Sequence, residues 1–80
     1  MNLQTAQQRL GRLIRQKRVR LYRNQKTFAF ICGINLHHYN CIECGRVLPS
    51  TRILLKIAKA LNTTLCKLLA EAWGGEMVEV

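Results

Sequence analysis

The chain has 80 residues, enough for one compact domain with a thin core, and its formal net charge is +9 because thirteen Lys and Arg residues face four Asp and Glu. Hydrophobic residues make up 49% of the sequence, which is typical of a folded globular domain and not of a disordered chain. No apolar run approaches the roughly 20 residues of a membrane-spanning helix, and residues 1–13 lack the apolar stretch of a signal peptide, so we expect a cytoplasmic protein.

The positive charge is concentrated in the first half of the chain. Residues 1–42 hold eight basic residues and no acidic one, since the first carboxylate is that of Glu43. A basic half on so small a domain is typical of a protein that binds a polyanion. A helix that binds an anionic lipid surface carries similar charge, so composition alone leaves both partners open.

Capping residues and apolar spacing predict five short helices, the first two of them within residues 5–33. Thr5 and Gln8 have capping-box spacing, and the apolar face that follows predicts a first helix to about Arg20. Asn24 is the predicted cap of a second helix, with Gly33 just after its end. The inward-facing positions of this second helix are Phe28, Ala29 and either Ile31 or Cys32.

The third helix is predicted between Asn35, as its cap, and Gly45, with Tyr39 and Ile42 on one apolar face. Helices two and three are joined by a sharp turn. Gly33 suits this turn because glycine adopts a positive φ without strain, and the small Ala29 allows the next helix to cross close by. Residues of about 24–44 therefore have the character of a helix-turn-helix, in which one helix braces the other against the major groove.

The last two helices follow a loop that contains Pro49. Pro49 and Ser50 are predicted to open the fourth helix, and Asn62 to end it. Its apolar face is the clearest in the chain: Ile53, Leu54, Ile57, Ala58 and Leu61. Thr64 is the predicted cap of a fifth helix. Residues 1–72 are predicted to form a single all-α domain, and residues 73–80 a C-terminal tail.

Two cysteines of the predicted third helix are candidates for chemistry other than packing. Cys41 and Cys44 have the spacing of zinc ligands, and His37 lies one helical turn before Cys41 on the same stripe, so the three are candidate ligands of Zn²⁺ or Cu⁺. A second pair of ligands with suitable spacing is missing, which favours a protein without a metal or other cofactor. Cys41 and Cys44 are expected to be partly exposed beside positive charge, so a thiol switch is an alternative.

The other two cysteines, Cys32 and Cys66, lie at apolar positions of the predicted helices. Free cysteine is among the residue types most often buried, so we expect both to fill the core as thiols. Trp73 is expected to cover the core or to lie at a dimer contact.

The stretch from Leu10 to Leu69 resembles, without a gap, the helix-turn-helix domain of lambdoid phage repressors, Cro proteins and the XRE group of bacterial regulators. The matching segments are LGRLIRQKR, NQKTFA, CGI, IECGRVLPS and LLKIAKALNTTLCKLL. GRVLPS shortly before LLKIAKAL is the most diagnostic of them, and the match covers about three-quarters of the chain. The resemblance implies a five-helix, lambda-repressor-like fold.

The resemblance also implies roles for the matching positions. The base contacts fall on the exposed face of the third helix, at Leu36, His37, Asn40 and Cys41. The contacts with the DNA backbone fall on Asn24, Gln25, Lys26, Arg46, Ser50 and Arg52. Gln25 additionally resembles a glutamine that supports the base-contacting residues. Arg18 and Glu43 match a family salt bridge between the first and third helices.

The chain departs from the family pattern at two places. Tyr22 and Arg23 replace the usual glycine and aliphatic residue before the second helix, so a different bend is expected there. The third helix lacks most of the usual Gln, Arg, Ser and Asn on its exposed face, which holds Leu36, His37, His38 and Cys41. Asn40 is the best bidentate base reader, so we expect DNA shape to supply part of the specificity.

The combined expectation is a sequence-specific transcriptional regulator that binds double-stranded DNA, acts as a repressor and forms a homodimer on a two-fold site. Enzymatic activity is not expected, because no set of nucleophile, base and carboxylate is available and four acidic residues leave little acid–base chemistry. Two alternatives stay open at this point. One is a metal- or thiol-responsive regulator that uses His37, Cys41 and Cys44, and the other is an antitoxin-like adaptor whose main partner is a protein.

Overall fold

The computed structural model describes residues 2–74, and this part of the chain contains five α-helices and no strand. The helices are α1 (Leu3–Leu21), α2 (Gln25–Cys32), α3 (Leu36–Glu43), α4 (Thr51–Ala60) and α5 (Leu65–Trp73). The all-α class with five helices is therefore confirmed. Residues 75–80, which make up most of the predicted tail, lie outside the described residues. Within residues 2–74, none of the helices combines the length and the apolar character that a membrane crossing requires.

Each helix begins where a side-chain oxygen accepts the backbone N–H of a residue in the first turn. Asn24, Asn35 and Thr64 cap α2, α3 and α5 as predicted, and Ser50 caps α4 with Pro49 one position before it. Such a cap is worth about 1 kcal/mol, because it satisfies an N–H group that has no partner within the helix. Local side-chain chemistry thus sets the start of all five helices that the structure describes, four of them at the predicted residue.

The predicted start of α1 was wrong. The cap is Asn2, whose Oδ1 accepts the backbone N–H of Thr5 at 2.8 Å, so Thr5 lies inside the first turn and does not cap it. Both residue types are good caps, and asparagine at position 2 lets the helix gain most of one additional turn. The helix ends at Leu21, one residue beyond the predicted end.

The turn between α2 and α3 has the predicted conformation. Gly33 adopts φ 72° and ψ 33°, and the N–H groups of Gly33 and Ile34 donate to the carbonyls of Phe30 and Ala29 at 3.0 and 2.9 Å. These bonds satisfy the last carbonyls of α2, which is the usual way in which a left-handed residue ends a helix. The turn therefore holds α3 at a defined angle to α2.

The five helices share one core. α1 packs against α3 and α5, α2 against α3 and α4, and α4 against α5. The buried apolar side chains are Leu10, Ile14, Phe28, Ala29, Cys32, Ile34, Tyr39, Ile42, Leu54, Ile57, Ala58, Leu61, Leu68 and Ala72. In α2 the alternative left open is settled, because Cys32 is buried and Ile31 is 47% exposed. Trp73 packs on the core, and its Nε1 donates to the carbonyl of Ala6 at 2.9 Å.

Gly11 allows the backbones of α1 and α3 to come unusually close. A Cβ atom at this position would lie 2.4 Å from the carbonyl oxygen of Ile42 and 2.7 Å from that of Glu43. Both oxygens belong to the backbone, so neither can rotate away as a side chain would. The close approach places the last turn of α3 against the middle of α1, beside Arg18.

We predict that Gly11→Ala destabilises the domain, although alanine normally stabilises a helix by about 0.5–1 kcal/mol relative to glycine. The clash with two carbonyl oxygens should cost about 3 kcal/mol, as overpacking does elsewhere. Gly33→Ala is the comparison variant, because nothing lies within 4 Å of its added Cβ and only the positive φ opposes it. That variant should lose about 1–2 kcal/mol. Urea unfolding followed by circular dichroism measures both, and a stabilised Gly11→Ala would contradict the close approach.

Candidate nucleic-acid interface

The carboxylate of Glu43, in the last turn of α3, is buried and accepts hydrogen bonds from side chains of α1 and α2. Arg18 of α1 donates from Nε to Oε2 at 2.6 Å and from Nη2 to Oε1 at 3.4 Å. The hydroxyl of Tyr39 also donates to Oε2. A charge this far from water requires such partners, because an unpaired buried carboxylate would cost several kcal/mol.

The guanidinium of Arg18 also holds the connection between α1 and α2. Its Nη1 donates to the backbone carbonyls of Tyr22 at 3.0 Å and Arg23 at 2.8 Å. The ring of Tyr22 lies 5.5 Å from that of Phe28, centre to centre. The two residues that replace the family's usual turn are thus held by one arginine and one aromatic contact.

The surroundings of Glu43 keep its partners in the protonation states that the contacts need. Burial desolvates the guanidinium of Arg18, but the hydrogen bond and the charge of Glu43 outweigh this cost and raise the pKa of Arg18 above its ordinary value. Burial and the hydrogen bond to Glu43 raise the pKa of the Tyr39 hydroxyl. Arg18 therefore stays charged and Tyr39 stays a donor across the physiological range.

Two amide side chains extend these contacts from the buried carboxylate to the surface of α3. Gln25, the first residue of α2, donates from Nε2 to Oε1 of Glu43 at 2.9 Å. Asn40 donates from Nδ2 to Oε1 of Gln25 at 3.1 Å. We call Arg18, Gln25, Tyr39, Asn40 and Glu43 the Glu43 network. Its outermost member, Asn40, is partly exposed.

Asn40 keeps hydrogen-bonding capacity for a ligand. Its Nδ2 uses one of two protons on Gln25, and its Oδ1 accepts the thiol of Cys44 at 3.7 Å with one of two lone pairs. One donor and one acceptor remain, which is what bidentate recognition of adenine requires. The network thus orients the amide without consuming it.

The predicted base-contacting residues share the outer face of α3, which we call the recognition face: Leu36, His37, Asn40 and Cys41. Leu36 is 42% exposed, His37 is exposed, and Asn40 and Cys41 are partly exposed. His37 Nε2 lies 3.9 Å from the Sγ atom of Cys41. The structure therefore brings these four residues to one surface, with two of them in direct contact.

The predicted backbone-contacting residues differ in what holds them. Gln25 contacts α3 through the Glu43 network, while Lys26, Arg46 and Arg52 are exposed. The side-chain oxygens of two further members act as helix caps: Asn24 accepts from the N–H groups of residues 26 and 27, and Ser50 from that of residue 53. For Asn24, this leaves the amide N–H groups free to donate to a phosphate.

Two arginines of α1 that the sequence pattern did not single out lie beside the last turn of α3. Arg15 lines an open cavity of about 430 Å³ together with Arg18, Gln25, Asn40, Glu43 and Cys44. A neighbouring cavity of about 300 Å³ is lined by Gln8, Arg12, Arg15, Glu43 and Cys44. The signal was present in the sequence, because Arg12, Arg15 and Arg18 are spaced by three and share one face of a helix. Only the packing of α1 on α3 shows that this face borders the recognition face.

The cysteines differ sharply in their surroundings, and all four are free thiols. Cys32 fills the core as predicted, and burial raises the pKa of its thiol to about 11. The expectation for Cys66 was wrong, because its side chain is exposed on α5. Among the residues that the structure describes, no three His, Cys, Asp or Glu side chains lie together as metal ligands, and His37, Cys41 and Cys44 are not such a group.

A comparison with protein families gives one match. The profile of the helix-turn-helix family matches residues 14–68, which run from the middle of α1 into α5 and make up more than half of the chain. Comparison with curated proteins and with solved structures gives no match. The matched range contains the whole of α2, α3 and α4 and every member of the Glu43 network.

We predict that Glu43→Gln lowers the free energy of unfolding by about 3 kcal/mol, because it leaves the charge of Arg18 buried without a carboxylate. Glu71→Gln is the matched control. Glu71 pairs with Lys17 at 2.9 Å on the surface, where the two side chains are 47% and 27% exposed, so its loss should cost less than about 1 kcal/mol. Urea unfolding at pH 7 measures both variants, and equal effects would show that the Glu43 network does not stabilise the fold.

Proposed function

The chain belongs to the XRE type of the helix-turn-helix family, and on that premise we propose that this DNA-binding transcription regulator places α3 in the major groove of duplex DNA and represses transcription. The observation that carries the proposal is the Glu43 network. It holds α1, α2 and α3 together and ends at Asn40 on the recognition face. A base-reading side chain needs such support, since discrimination depends on accurate placement of its donor and acceptor.

The recognition face suits a mixed mode of base recognition. Asn40 is the proposed bidentate partner of an adenine, Leu36 is suited to a thymine methyl group, and His37 can donate to guanine N7 or O6. Cys41 adds an adjacent apolar contact. With a single bidentate reader, the discrimination at other positions is expected to be weaker and to depend partly on DNA shape.

The phosphate contacts are proposed to come from three directions around α3. Asn24, Gln25 and Lys26 lie at the N-terminus of α2, where backbone N–H groups and the helix dipole favour an anion. The second group is Arg46, Ser50 and Arg52, in the loop and at the start of α4. The third proposed group is Arg12 and Arg15 on α1, which line the cavities beside the last turn of α3.

The acidic residues that the structure describes leave this surface positive. The carboxylate of Glu43 is neutralised by Arg18, and that of Glu71 on α5 pairs with Lys17 on α1. Most of the affinity is therefore expected to come from phosphate contacts and the release of counterions.

We propose that the protein binds a two-fold operator as a homodimer and represses by occluding a promoter. Exposed apolar side chains support self-association. Phe30 is 86% exposed and Leu55 is 53% exposed, so both side chains contact water in a monomer. Sedimentation velocity with duplexes that hold one or two half-sites tests the dimer, and transcription from a promoter that contains the selected site tests repression. A single bound chain on both duplexes would contradict the dimer.

For the phosphate contacts, we predict that Arg15→Gln weakens binding to all duplexes alike. The slope of log K against log salt should fall by about 0.9 for each phosphate contact that is lost. Lys67→Gln is the matched control, since it removes the same charge from an exposed position on α5 that does not line either cavity beside α3. Fluorescence anisotropy over a series of salt concentrations measures both, and equal slopes for the two variants would contradict a role for Arg15.

For the base contacts, we predict that Asn40→Ala changes sequence preference with little change in the salt slope. Loss of one bidentate contact should cost about 1–3 kcal/mol on the preferred site and almost nothing on a duplex with that base pair replaced. Selection of bound sequences from a random duplex pool, done for the wild type and the variant, gives both preferences. Identical preferences would show that Asn40 does not contact a base.

A further inference from the structure

We propose that Cys41 and Cys44 form a disulfide under oxidising conditions, and that this disulfide lowers the affinity of α3 for DNA. The inference rests on the proposed function of α3, and it adds a mode of regulation to that surface. It is carried by the position of the two thiols on α3, by their contacts with other residues of that helix, and by their exposure to solvent.

The spacing of the two cysteines is compatible with a disulfide. Residues three apart in an α-helix have Cα atoms about 5 Å apart by helix geometry, which lies within the range seen for disulfides. Their Cβ atoms are about 5–6 Å apart on the same face, and a disulfide needs roughly 4 Å. The two Cβ atoms must therefore approach each other by about 1–2 Å.

The movement has to come from Cys44 at the end of α3, because the backbone of Ile42 and Glu43 just before it is packed against Gly11. Cys44 is the C-terminal cap and not an interior residue, and Gly45 follows it with φ 76°. The N–H of Gly45 donates to the carbonyl of Ile42 at 3.1 Å, a bond across three residues that already tightens the last turn. A disulfide between residues 41 and 44 would tighten this last turn further, by drawing Cys44 towards Cys41.

Formation of the disulfide would remove two contacts from the recognition face. Sγ of Cys41 would leave Nε2 of His37, which now lies 3.9 Å away. Cys44 would lose the thiol proton that it donates to Oδ1 of Asn40 at 3.7 Å. Since Asn40 is the outermost member of the Glu43 network and the proposed base reader, its orientation would change with the thiol beside it.

The two thiols are accessible to a small oxidant. Cys44 is exposed and Cys41 partly exposed, and Cys44 lines the cavity that also holds Arg12 and Arg15. Positive charge at this cavity attracts an anionic disulfide such as oxidised glutathione. Of the other two cysteines, Cys32 is buried in the core, and Cys66 is exposed on α5, where it can form an adduct of its own.

The exchange proceeds in two balanced steps. Cys44 loses its proton and attacks one sulfur of oxidised glutathione, which forms a mixed disulfide and releases one glutathione thiolate. Cys41 then loses its proton and attacks Sγ of Cys44, which closes the 41–44 disulfide and releases the second glutathione thiolate. The two thiolates take up the two protons. In sum, two cysteine thiols are oxidised and one molecule of oxidised glutathione is reduced to two of glutathione.

The test uses the full chain with Cys66→Ser, so that the exposed thiol on α5 cannot form adducts or link two chains. The protein is treated with oxidised glutathione and compared with its own untreated form in mass and in affinity for the selected duplex at fixed salt. We expect the mass to fall by two hydrogen atoms with no glutathione attached, and the affinity to fall at least tenfold. Dithiothreitol should restore both the mass and the affinity. A control protein that carries Cys41→Ser and Cys44→Ser in addition to Cys66→Ser should have the same affinity before and after treatment.

Two results would overturn the inference. In the first, the 41–44 disulfide forms but the treated and untreated proteins bind equally. In the second, glutathione stays attached to Cys44 and no internal disulfide closes. Failure of the proposed function has a different signature, because the reduced protein would then bind no duplex, while the mass would still report whether the disulfide forms.

Discussion

The burial of one carboxylate, that of Glu43, is the constraint on which the arrangement of the first three helices depends. A carboxylate out of water has to be paired and hydrogen-bonded on both oxygens. Here the partners come from three helices: Arg18 from α1, Gln25 from α2 and Tyr39 from α3 itself. Among residues 2–74, no buried side-chain nitrogen or oxygen lacks a partner, so the polar contacts are complete. Complete satisfaction is the condition under which a buried polar network specifies one arrangement of its helices.

This constraint connects the core to the surface proposed to contact DNA. The close approach at Gly11 brings α1 onto the last turn of α3, and Arg18 reaches Glu43 and the carbonyls of the α1–α2 connection at once. Hydrogen bonds from Gln25 to Glu43 and from Asn40 to Gln25 then connect the core to the recognition face. In the proposed mode of binding, Asn40 is the one bidentate reader of that face, so base recognition would depend on its accurate placement. The proposed disulfide would act on the same placement, because the thiol of Cys44 donates to Oδ1 of Asn40.

Much of the fold could be predicted from the sequence because its signals are local. A capping side chain and a glycine at a positive φ act within a few residues, so the starts of α2, α3 and α5 and the turn at Gly33 followed directly. Asn2 was missed because two good caps lie three residues apart and only the ordered backbone shows which one accepts the N–H. Cys66 was misplaced because it flanks the apolar stripe of a short helix, where one position separates core from solvent.

The site could be predicted in part. The pairing of Arg18 with Glu43 came from the family resemblance, and nothing in the pattern of either helix required it. Arg12 and Arg15 share a helix face with Arg18, but whether that face borders α3 is a matter of tertiary packing. Contact between α3 and DNA is tested most directly by NMR, as a map of backbone amide shifts while a selected duplex is added. We expect the largest shifts at residues 24–26 and 36–41 and around Arg15, with α5 unchanged. Shifts concentrated on α5, with α3 unaffected, would contradict it.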